Sequence, residues 1–426
     1  MQRKDQKRTF KLISYDDALK KLFEITKHIK PISYEKILVE SSVGRVLAED
    51  IRSEVNIPPN DQALIDGYAI KSEDALNASL DNPVRLKVVG KLYPWNTPTD
   101  FNLVRGQTIY VTCGAPLPKG ADAVIKVENT ILHDDEIEIR HAVKKGENVA
   151  LKGEDLKEGS LIFRKGNVLR LQDIGFLAGV GVRKVKVFKK PKVAIIATGN
   201  ELYELSKKEP TRIVDNYALI ISFLISKLGG IPIRLGIAPD DLSELKNKIN
   251  EGAEKADIIV TIGGCSVGEK DFVPDAVNSM GEPGVIVHGV KVKPGRVTGF
   301  GLVKGKPIIM LPGLIASTLA GFFLFAAPLI CFYNGLEREC LLPKVKAKMT
   351  QNLEADERLH YRFLPVRLKQ DGKNLMAELV VGGPGSLRRF LDSNGFILIS
   401  PGKSLRKGED IEVTLFGCEE FTKFLS

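Results

Sequence analysis

Residues 257–272 read DIIVTIGGCSVGEKDF, and this stretch decides the fold. Its first six residues form an apolar, β-branched run without alternation, which predicts a strand covered on both faces of a parallel sheet. Gly263 and Gly264 end that strand, and residues 269–271 are typical of the first turn of a helix running to about Met280. Alone, a glycine pair after a strand predicts only a turn. Together with a helix start it aims backbone N–H groups at one point, which favours an anion such as phosphate.

The whole-chain totals describe a multidomain globular protein. At 426 residues the chain is too long for one hydrophobic core, so roughly two to four domains are expected. A net charge of +9 suits anionic small molecules or nucleic acid. Aromatic residues make up only 7 %, which does not indicate a stacking surface for single strands. A small-molecule ligand is therefore preferred, and no nucleic acid is expected.

Cysteines and apolar segments indicate a cytoplasmic protein. The five cysteines are scattered without a CxxC pair, so neither a disulfide framework nor a zinc site is predicted. The basic N-terminus lacks the apolar core of a secretory signal. The uncharged stretch 307–335 is interrupted by Pro312-Gly313, Ser317-Thr318 and Pro328. It predicts a buried strand and a buried helix, with no membrane partner.

The N-terminal half combines helices, an irregular segment and short strands. Helices are predicted over 14–29, where a serine can act as N-cap, and near 34–49. The prolines and the Asp-Gly pair of 51–70 predict an irregular, exposed loop. Four short apolar runs between 84 and 140 predict a small all-β unit, and a helix is predicted at 171–179.

The C-terminal half alternates strands with helices and then becomes β-rich. The alternation between 192 and 310 predicts right-handed βαβ crossovers and a three-layer α/β domain. Ligands of such sheets collect beyond the carboxyl ends of the strands. The loops 198–201, 263–271 and 311–313 each follow a strand directly, so they should meet at one edge. Past residue 340 the pattern predicts a small barrel or sandwich of about 85 residues.

Seven motifs occur in a fixed order along the chain: DQALIDGYAI, TCGAPLPKGADAVIKVE, ENVALKGEDLKEG, VAIIATGNEL, GGCSVGEKDF, KVKPGR and LPG. Together they resemble the molybdopterin molybdenumtransferase family, which includes the C-terminal enzyme domain of gephyrin. The resemblance implies a multidomain α/β plus β fold with four parts. These are an extended linking domain (10–50 and 146–190), a small β domain (51–145), a three-layer α/β molybdopterin-binding domain (191–340) and a C-terminal β-barrel domain (341–426).

The same resemblance implies an activity and a set of partners. The expected reaction inserts molybdate or tungstate into adenylylated molybdopterin, with Mg2+ as cofactor and release of AMP. The expected assembly is a homodimer in which Asp61 and Thr112 complete the site of the partner. Because molybdate and tungstate are nearly equal in size and charge, the sequence does not choose between them.

Site residues follow from the matching motif positions. Those implied for catalysis are Asp61, Thr112, Glu201, Asp271, Lys293 and Arg296. Those implied for pterin and nucleotide binding are Thr198, Gly199, Gly263, Gly264, Ser266, Gly268, Pro312, Gly313 and Ser386, and Asp155 also matches a functional position. Metal binding is implied for Glu201, Asp240 and Asp271, since carboxylates and phosphate oxygens suit Mg2+. Asp240 fits a plain helix-cap role equally well, whereas motif context and helix-terminus chemistry favour a functional role for Asp271.

Four departures from the family pattern concern mainly the residues that would hold the oxyanion. Leu314-Ile315 replaces Asn-Pro, Arg296-Val297 replaces Lys-Pro, Asn200 replaces Asp, and Leu359-His360 replaces Gly-Arg. They suggest a divergent paralogue. One alternative is therefore a molybdopterin carrier or scaffold that has lost metal insertion. A second is hydrolysis of a nucleotide pyrophosphate, against which the β segments flanking the α/β domain argue.

Overall fold

The computed structural model describes residues 11–26, 33–98, 101–207, 209, 211–336, 342–356, 360–383 and 385–417. The chain divides into two compact units. The large unit comprises residues 1–36, 44–48 and 186–426, and the small unit comprises 37–43 and 49–185. This division does not test the four domain boundaries, which stay a prediction.

Short strands dominate the secondary structure. The helices are α1 Tyr15–Thr26, α2 Leu171–Gly179, α3 Tyr217–Lys227, α4 Leu242–Lys255, α5 Val273–Ser279, α6 Ile315–Gly321, α7 Ala327–Tyr333 and α8 Leu387–Leu391. The strands up to residue 190 are β1 Tyr34–Leu38, β2 Ile51–Arg52, β3 Gln62–Ala63, β4 Gly67–Ile70, β5 Val84–Leu92, β6 Gln107–Val111, β7 Ala123–Lys126, β8 Thr130–His133, β9 Glu136–Ile139, β10 Val149–Ala150, β11 Leu161–Phe163 and β12 Lys184–Phe188. The later strands are β13 Lys192–Thr198, β14 Leu202–Tyr203, β15 Ile213–Val214, β16 Ile231–Ala238, β17 Ile258–Ile262, β18 Gly284–His288, β19 Val292–Lys293, β20 Gly299–Val303, β21 Lys306–Leu311, β22 Lys344–Met349, β23 Tyr361–Asp371, β24 Asn374–Leu379, β25 Gly395–Ile399 and β26 Asp410–Leu415.

The large unit contains the predicted three-layer α/β sheet. Its strand order is β16-β13-β17-β21-β20-β18, and the first four strands are parallel. Successive residues of the central strands enter opposite cores: Val260 packs with α1, α3 and the helix after β21, whereas Ile259 packs with α4 and α5. The non-alternating run at 257–262 is apolar because both faces of β17 are buried.

A long apolar helix follows β21 and joins the sheet to the C-terminal barrel. It runs from Ile315 to Tyr333 through a π-helical turn at Phe322–Ala326. The buried strand and buried helix predicted for this stretch are therefore confirmed as β21 and this helix, which continues through Ser317-Thr318 and Pro328. By length and composition this helix could cross a membrane, but 83 % of its apolar window is buried inside the protein.

The C-terminal β segment forms a closed barrel. Its strands follow the order β23-β24-β22-β26-β25, and β25 pairs back onto β23. Strand β19 of the preceding segment adds to β23 in parallel. Phe363, Phe396 and Phe416 pack around Phe323 of the long helix, so the barrel and the sheet share one core.

The small unit contains a second six-stranded sheet, as the runs between 84 and 140 predict. Its order is β7-β4-β6-β5-β9-β8. Strand β4, buried at all four positions, lies in the segment that the prolines predicted to be an exposed loop. That prediction is wrong for β3 and β4. Their apolar side chains enter the two hydrophobic cores of this unit.

One predicted helix is present over part of its predicted range, and another is absent. The first helix is present as α1, capped by Ser14, whose Oγ accepts a hydrogen bond from the Asp17 N–H at 3.0 Å; residues 27–29 lie outside the described part. The predicted helix near 34–49 is wrong. Its first five residues form β1, with the alternating exposure of a strand that has one covered face, and a single 3-10 turn, Val39–Ser41, follows.

Candidate active site

The glycine turn after β17 lies against the end of β13. A Cβ atom on Gly263 would lie 2.8 Å from the Thr198 carbonyl oxygen, and one on Gly264 would lie 2.7 Å from Thr198 Oγ1. Both glycines have positive φ, at +93° and +61°, which L side chains rarely adopt. Only glycine therefore lets the turn approach Thr198 this closely.

The loop after β21 completes the same edge. Gly263 N–H donates to the Leu311 carbonyl at 2.9 Å, and a Cβ on Gly313 would lie 3.4 Å from Gly263 Cα. Thr318 Oγ1 donates to the Pro312 carbonyl at 2.6 Å and so ties this loop to α6. The structure thus brings together the three loops that the sequence predicted to meet.

The helix predicted to begin at residue 269 begins later. Residues 265–272 form turns and bends, and α5 starts at Val273 with Pro274 in its first turn, where proline is well accepted. Asp271 closes the preceding turn: its Oδ2 accepts a hydrogen bond from the Gly268 N–H at 2.7 Å. The predicted anion site would therefore be formed by the loop itself, rather than by the first turn of a long helix.

A histidine supports this loop from the neighbouring edge strand. His288 Nε2 lies 2.7 Å from the carbonyl oxygen of Cys265, and Cys265 is 1 % exposed. Burial, with the nearby charge of Asp271, raises the pKa of the Cys265 thiol to about 12, so this side chain is a neutral packing group. The sequence placed His288 on a strand, but its contact with the loop could not be predicted.

Each of the three predicted metal carboxylates has a defined position near the edge. The Glu201 carboxylate folds back over Gly199, whose added Cβ would overlap it. Asp240 and Asn200 exchange hydrogen bonds: Asn200 N–H donates to Asp240 Oδ2 at 3.3 Å, and Asp240 N–H to Asn200 Oδ1 at 3.2 Å. The loops after β13 and β16 are thereby joined, so Asn200 takes a structural role where the family has Asp.

The helix-cap alternative does not hold for Asp240. The cap of α4 is Asp241, whose Oδ1 accepts hydrogen bonds from the Ser243 and Glu244 N–H groups at 2.9 Å each. In the described part of the chain, no group of three or more His, Cys, Asp or Glu side chains is arranged to hold a metal ion.

A second predicted site segment, around Lys293, faces a cleft formed by β19 and the barrel. The cleft holds about 780 Å³ and is lined by Lys293, Pro294, Leu353, Glu354, Ala355, Asp356, Arg362, Leu364, Gly382 and Arg389. Lys293 Nζ lies 3.8 Å from Asp356 Oδ2, and the Asp356 side chain is only 11 % exposed. Arg296 is exposed and is not among the residues that line this cleft. The structure therefore does not place it in the same cleft as Lys293.

Two arginines of the barrel contribute to this cleft, and neither is among the predicted site residues. Arg389 Nε donates to the Val380 carbonyl at 2.8 Å, and partial burial lowers the pKa of its guanidinium. Arg362 Nη2 donates to the Lys403 carbonyl at 3.1 Å. Ser386 caps α8 by accepting the Arg389 N–H at 3.3 Å, which places it next to the cleft. Leu359 lies outside the described residues.

The small unit holds the remaining predicted residues. Asp61 Oδ1 accepts the Lys152 N–H at 2.7 Å, and Thr112 N–H donates to the Leu92 carbonyl at 3.2 Å. The Thr112 hydroxyl is buried and has no hydrogen-bond partner in the described part of the chain. Asp155 lies on an exposed turn, where its N–H donates to the Ile57 carbonyl at 3.0 Å.

Asp66 holds the Thr112 turn and was missed as a site residue. Its Oδ1 accepts the Cys113 N–H at 2.7 Å. The Asp66-Gly67 pair did mark a turn in the sequence, but the partner 47 residues further on could not be predicted because it comes from another strand of the sheet.

Comparison with known proteins finds family matches along most of the chain. Residues 13–181 match the MoeA N-terminal region (domain I and II), 194–331 a probable molybdopterin binding domain, and 346–416 the MoeA C-terminal region (domain IV). A molybdopterin molybdenumtransferase of Staphylococcus aureus is 36 % identical over 298 residues, covering 69 % of this chain and 70 % of the relative. A putative molybdopterin biosynthesis protein of Methanocaldococcus jannaschii is 30 % identical over 415 residues, or 95 % of each chain.

A solved structure has the same fold. The molybdopterin biosynthesis MoeA protein of Pyrococcus horikosii superposes with a TM-score of 0.85 at 36 % identity, covering 95 % of this chain and 99 % of that one. The fold and the site define a multidomain α/β and β-barrel protein in which three loops meet at one edge of the parallel sheet. Within that class, the sequence matches and the fold match all point to one family. This chain belongs to the MoeA family, and its function lies in molybdenum cofactor biosynthesis as a transferase.

Proposed function

We propose that this chain inserts molybdate or tungstate into adenylylated molybdopterin and releases AMP, acting with Mg2+ as a cytoplasmic homodimer. The observation that carries this proposal is the convergence of the loops after β13, β17 and β21, where Thr198, Gly263 and Gly313 lie in direct contact. A glycine-rich edge at the carboxyl ends of parallel strands suits a ligand with phosphate groups. Ser266 and Gly268 extend the same loop toward solvent.

The carboxylates at the edge suit Mg2+ only in the presence of substrate. Mg2+ in phosphate-handling sites is usually held by one or two carboxylates plus phosphate oxygens and water, so three preformed protein ligands are not needed. Glu201, Asp240 and Asp271 would supply those carboxylates. When bound, the cation would neutralise phosphate charge and so favour departure of AMP.

The cleft around Lys293 suits the oxyanion. It offers a lysine and the guanidinium groups of Arg362 and Arg389, which bind tetrahedral dianions through charge-assisted hydrogen bonds. Lys293 stands in the KVKPGR motif, and Ser386 lies next to Arg389. The chain's own groups would then act by holding metalate and pterin phosphates in place, so that positioning and fixed charge supply most of the rate.

The homodimer with a shared site is part of the proposal. In the small unit, Asp61 is exposed and Thr112 is partly exposed, which supports a role for both residues in contacting a ligand. We assign them to the site of the partner subunit, as the family resemblance implies. Sedimentation of the purified chain, and mixing of an Asp61→Asn chain with an Asp271→Asn chain, test this arrangement. Partial recovery of activity in the mixture is expected, and no recovery from two soluble dimers would contradict a shared site.

The activity is tested by AMP release from adenylylated molybdopterin with purified protein, Mg2+ and either molybdate or tungstate. Oxyanion-dependent release is expected, with a loss of at least about 100-fold in Asp271→Asn. The matched control is Asp241→Asn, the same chemical change at a helix cap, where asparagine serves equally well. Tight binding of pterin with no release under either oxyanion would overturn the proposal and leave a carrier.

A further inference from the structure

The single tryptophan of the chain is exposed. Trp95 is 78 % exposed, whereas tryptophan side chains are on average highly buried. Its ring stacks on Tyr93 with centroids 4.8 Å apart and planes 6° from parallel. The pair therefore presents a flat aromatic surface with most of the indole open to solvent.

The loop that carries this pair has a defined conformation. Tyr93 N–H donates to Asn96 Oδ1 at 2.8 Å, and Asn96 N–H donates back to the Tyr93 carbonyl at 3.0 Å. These two bonds close a turn around Trp95. A stacking surface fixed in this way loses little conformational entropy when a ring binds to it.

The aromatic pair lies beside the Thr112 turn. Leu92, which precedes Tyr93, accepts the Thr112 N–H at 3.2 Å, and Pro94 Cγ lies 3.6 Å from the position of a Cβ on Gly114. The buried Thr112 hydroxyl has no hydrogen-bond partner in the described part of the chain. The aromatic face of Trp95 therefore lies beside the turn that carries Thr112.

We propose that Trp95, backed by Tyr93, stacks on the planar nitrogen heterocycle of the substrate, adenine or pterin, next to Thr112. This inference rests on the proposed function, which places Thr112 at the substrate. Stacking on an aromatic side chain is tolerant of ring identity, so either heterocycle of the adenylylated pterin fits the surface. A second copy of the chain covering Trp95 is the competing occupant.

The single tryptophan makes the test direct. AMP and 6-hydroxymethylpterin are titrated separately into the full-length dimer while Trp95 fluorescence is followed, and their dissociation constants are measured by calorimetry. We expect quenching by one of the two, and an affinity loss for that ligand of about 5- to 150-fold in Trp95→Leu. Trp95→Phe should retain part of the affinity. Leu80→Ala, at an apolar residue of the same unit that is also 78 % exposed, is the matched control and should change nothing.

The outcomes separate this inference from the proposed function. In steady-state AMP release, Trp95→Leu should raise KM with kcat little changed, because a stacking residue binds ground state and transition state alike. Unchanged ligand affinities and KM in Trp95→Leu, with oxyanion-dependent AMP release intact, would remove the stacking role and leave the enzyme. Loss of the dimer in Trp95→Leu with unchanged ligand affinity would assign the surface to a second copy. Ligand stacking on Trp95 without any AMP release would support the stacking role and overturn the proposed transferase activity.

Discussion

The imidazole Nε2 of His288 lies 2.7 Å from the carbonyl oxygen of Cys265, so an edge strand of the sheet supports the loop that follows its central strand. His288→Leu removes this contact and leaves the buried carbonyl without it, which should cost about 1–3 kcal/mol in the free energy of unfolding. The loop should also loosen, so that molybdopterin binds more weakly. His288→Gln can restore the hydrogen bond through its amide. Urea unfolding and pterin affinity of the two variants check this, and equal losses in both would contradict a hydrogen-bonding role.

Gly199 should be irreplaceable because an added Cβ would overlap the Glu201 carboxylate. Gly199→Ala is expected to displace Glu201 and to lower the rate of AMP release by roughly 100-fold, as misplaced catalytic groups do. The matched control is Gly305→Ala, at a glycine with φ +72° and nothing within 4 Å of its Cβ position. It should cost about 1–2 kcal/mol in stability from backbone strain, with activity retained. A similar loss of activity in both variants would assign the effect to strain alone.

The meeting of the three loops at one edge could be predicted because each loop follows an apolar strand directly. Gly263 and Pro312 each stand one residue after a buried run, and parallel strands end on one side of a sheet. The bulk of the fold followed from the same patterns and from the family motifs. Strand β20 was missed because its sequence, GFGLV, is glycine-rich, and β18 was predicted without its antiparallel pairing to β20.

Other site residues could not be predicted from local pattern. Asp356, Arg362 and Arg389 come from different segments of the barrel, and only the closure of that barrel brings them to one cleft. Likewise Asp66 meets Cys113 through sheet pairing. The sequence predicts a helix over residues 34–38, where the structure has a strand, because helical and strand periods are hard to distinguish over five residues.

The ion pair of Lys293 with Asp356 should limit oxyanion affinity. The carboxylate lies 3.8 Å from the ammonium group and is largely buried, so it both occupies the lysine and repels a dianion. Asp356→Asn is expected to bind molybdate and tungstate roughly 3- to 10-fold more tightly, and Lys293→Met to bind them at least about 10-fold more weakly.

Calorimetry at low and high salt checks both changes, because interactions between charges weaken as ionic strength rises. Lys344→Met is the control for lysine removal, since Lys344 pairs with Glu412 at 2.9 Å on the outside of the barrel and should leave oxyanion affinity unchanged. Weaker binding in Asp356→Asn would instead assign the carboxylate a direct part in holding the ligand.

Asp215 should make the protein less stable as the pH rises above the ordinary carboxyl range. Burial raises the pKa of this side chain; the charge of Glu204 adds to the shift, and the Ala218 N–H, 3.1 Å from Oδ1, opposes it. The folded state therefore binds this proton more tightly than the unfolded chain. Its stabilising effect is complete below the usual value of 3.8 and is lost as the pH rises through the raised folded value.

Asp215→Asn removes that titration while its amide oxygen can still accept the Ala218 N–H. The variant should therefore gain in urea midpoint relative to the wild type as the pH is raised from about 4 to 7. Glu204→Gln, in a chain that keeps Asp215, should reduce the pH dependence of the urea midpoint, because it removes a charge that raises the Asp215 pKa. Midpoints measured across this pH series decide the matter: a difference between Asp215→Asn and wild type that stays constant, or shrinks, with rising pH would show that the Asp215 pKa is not raised by folding.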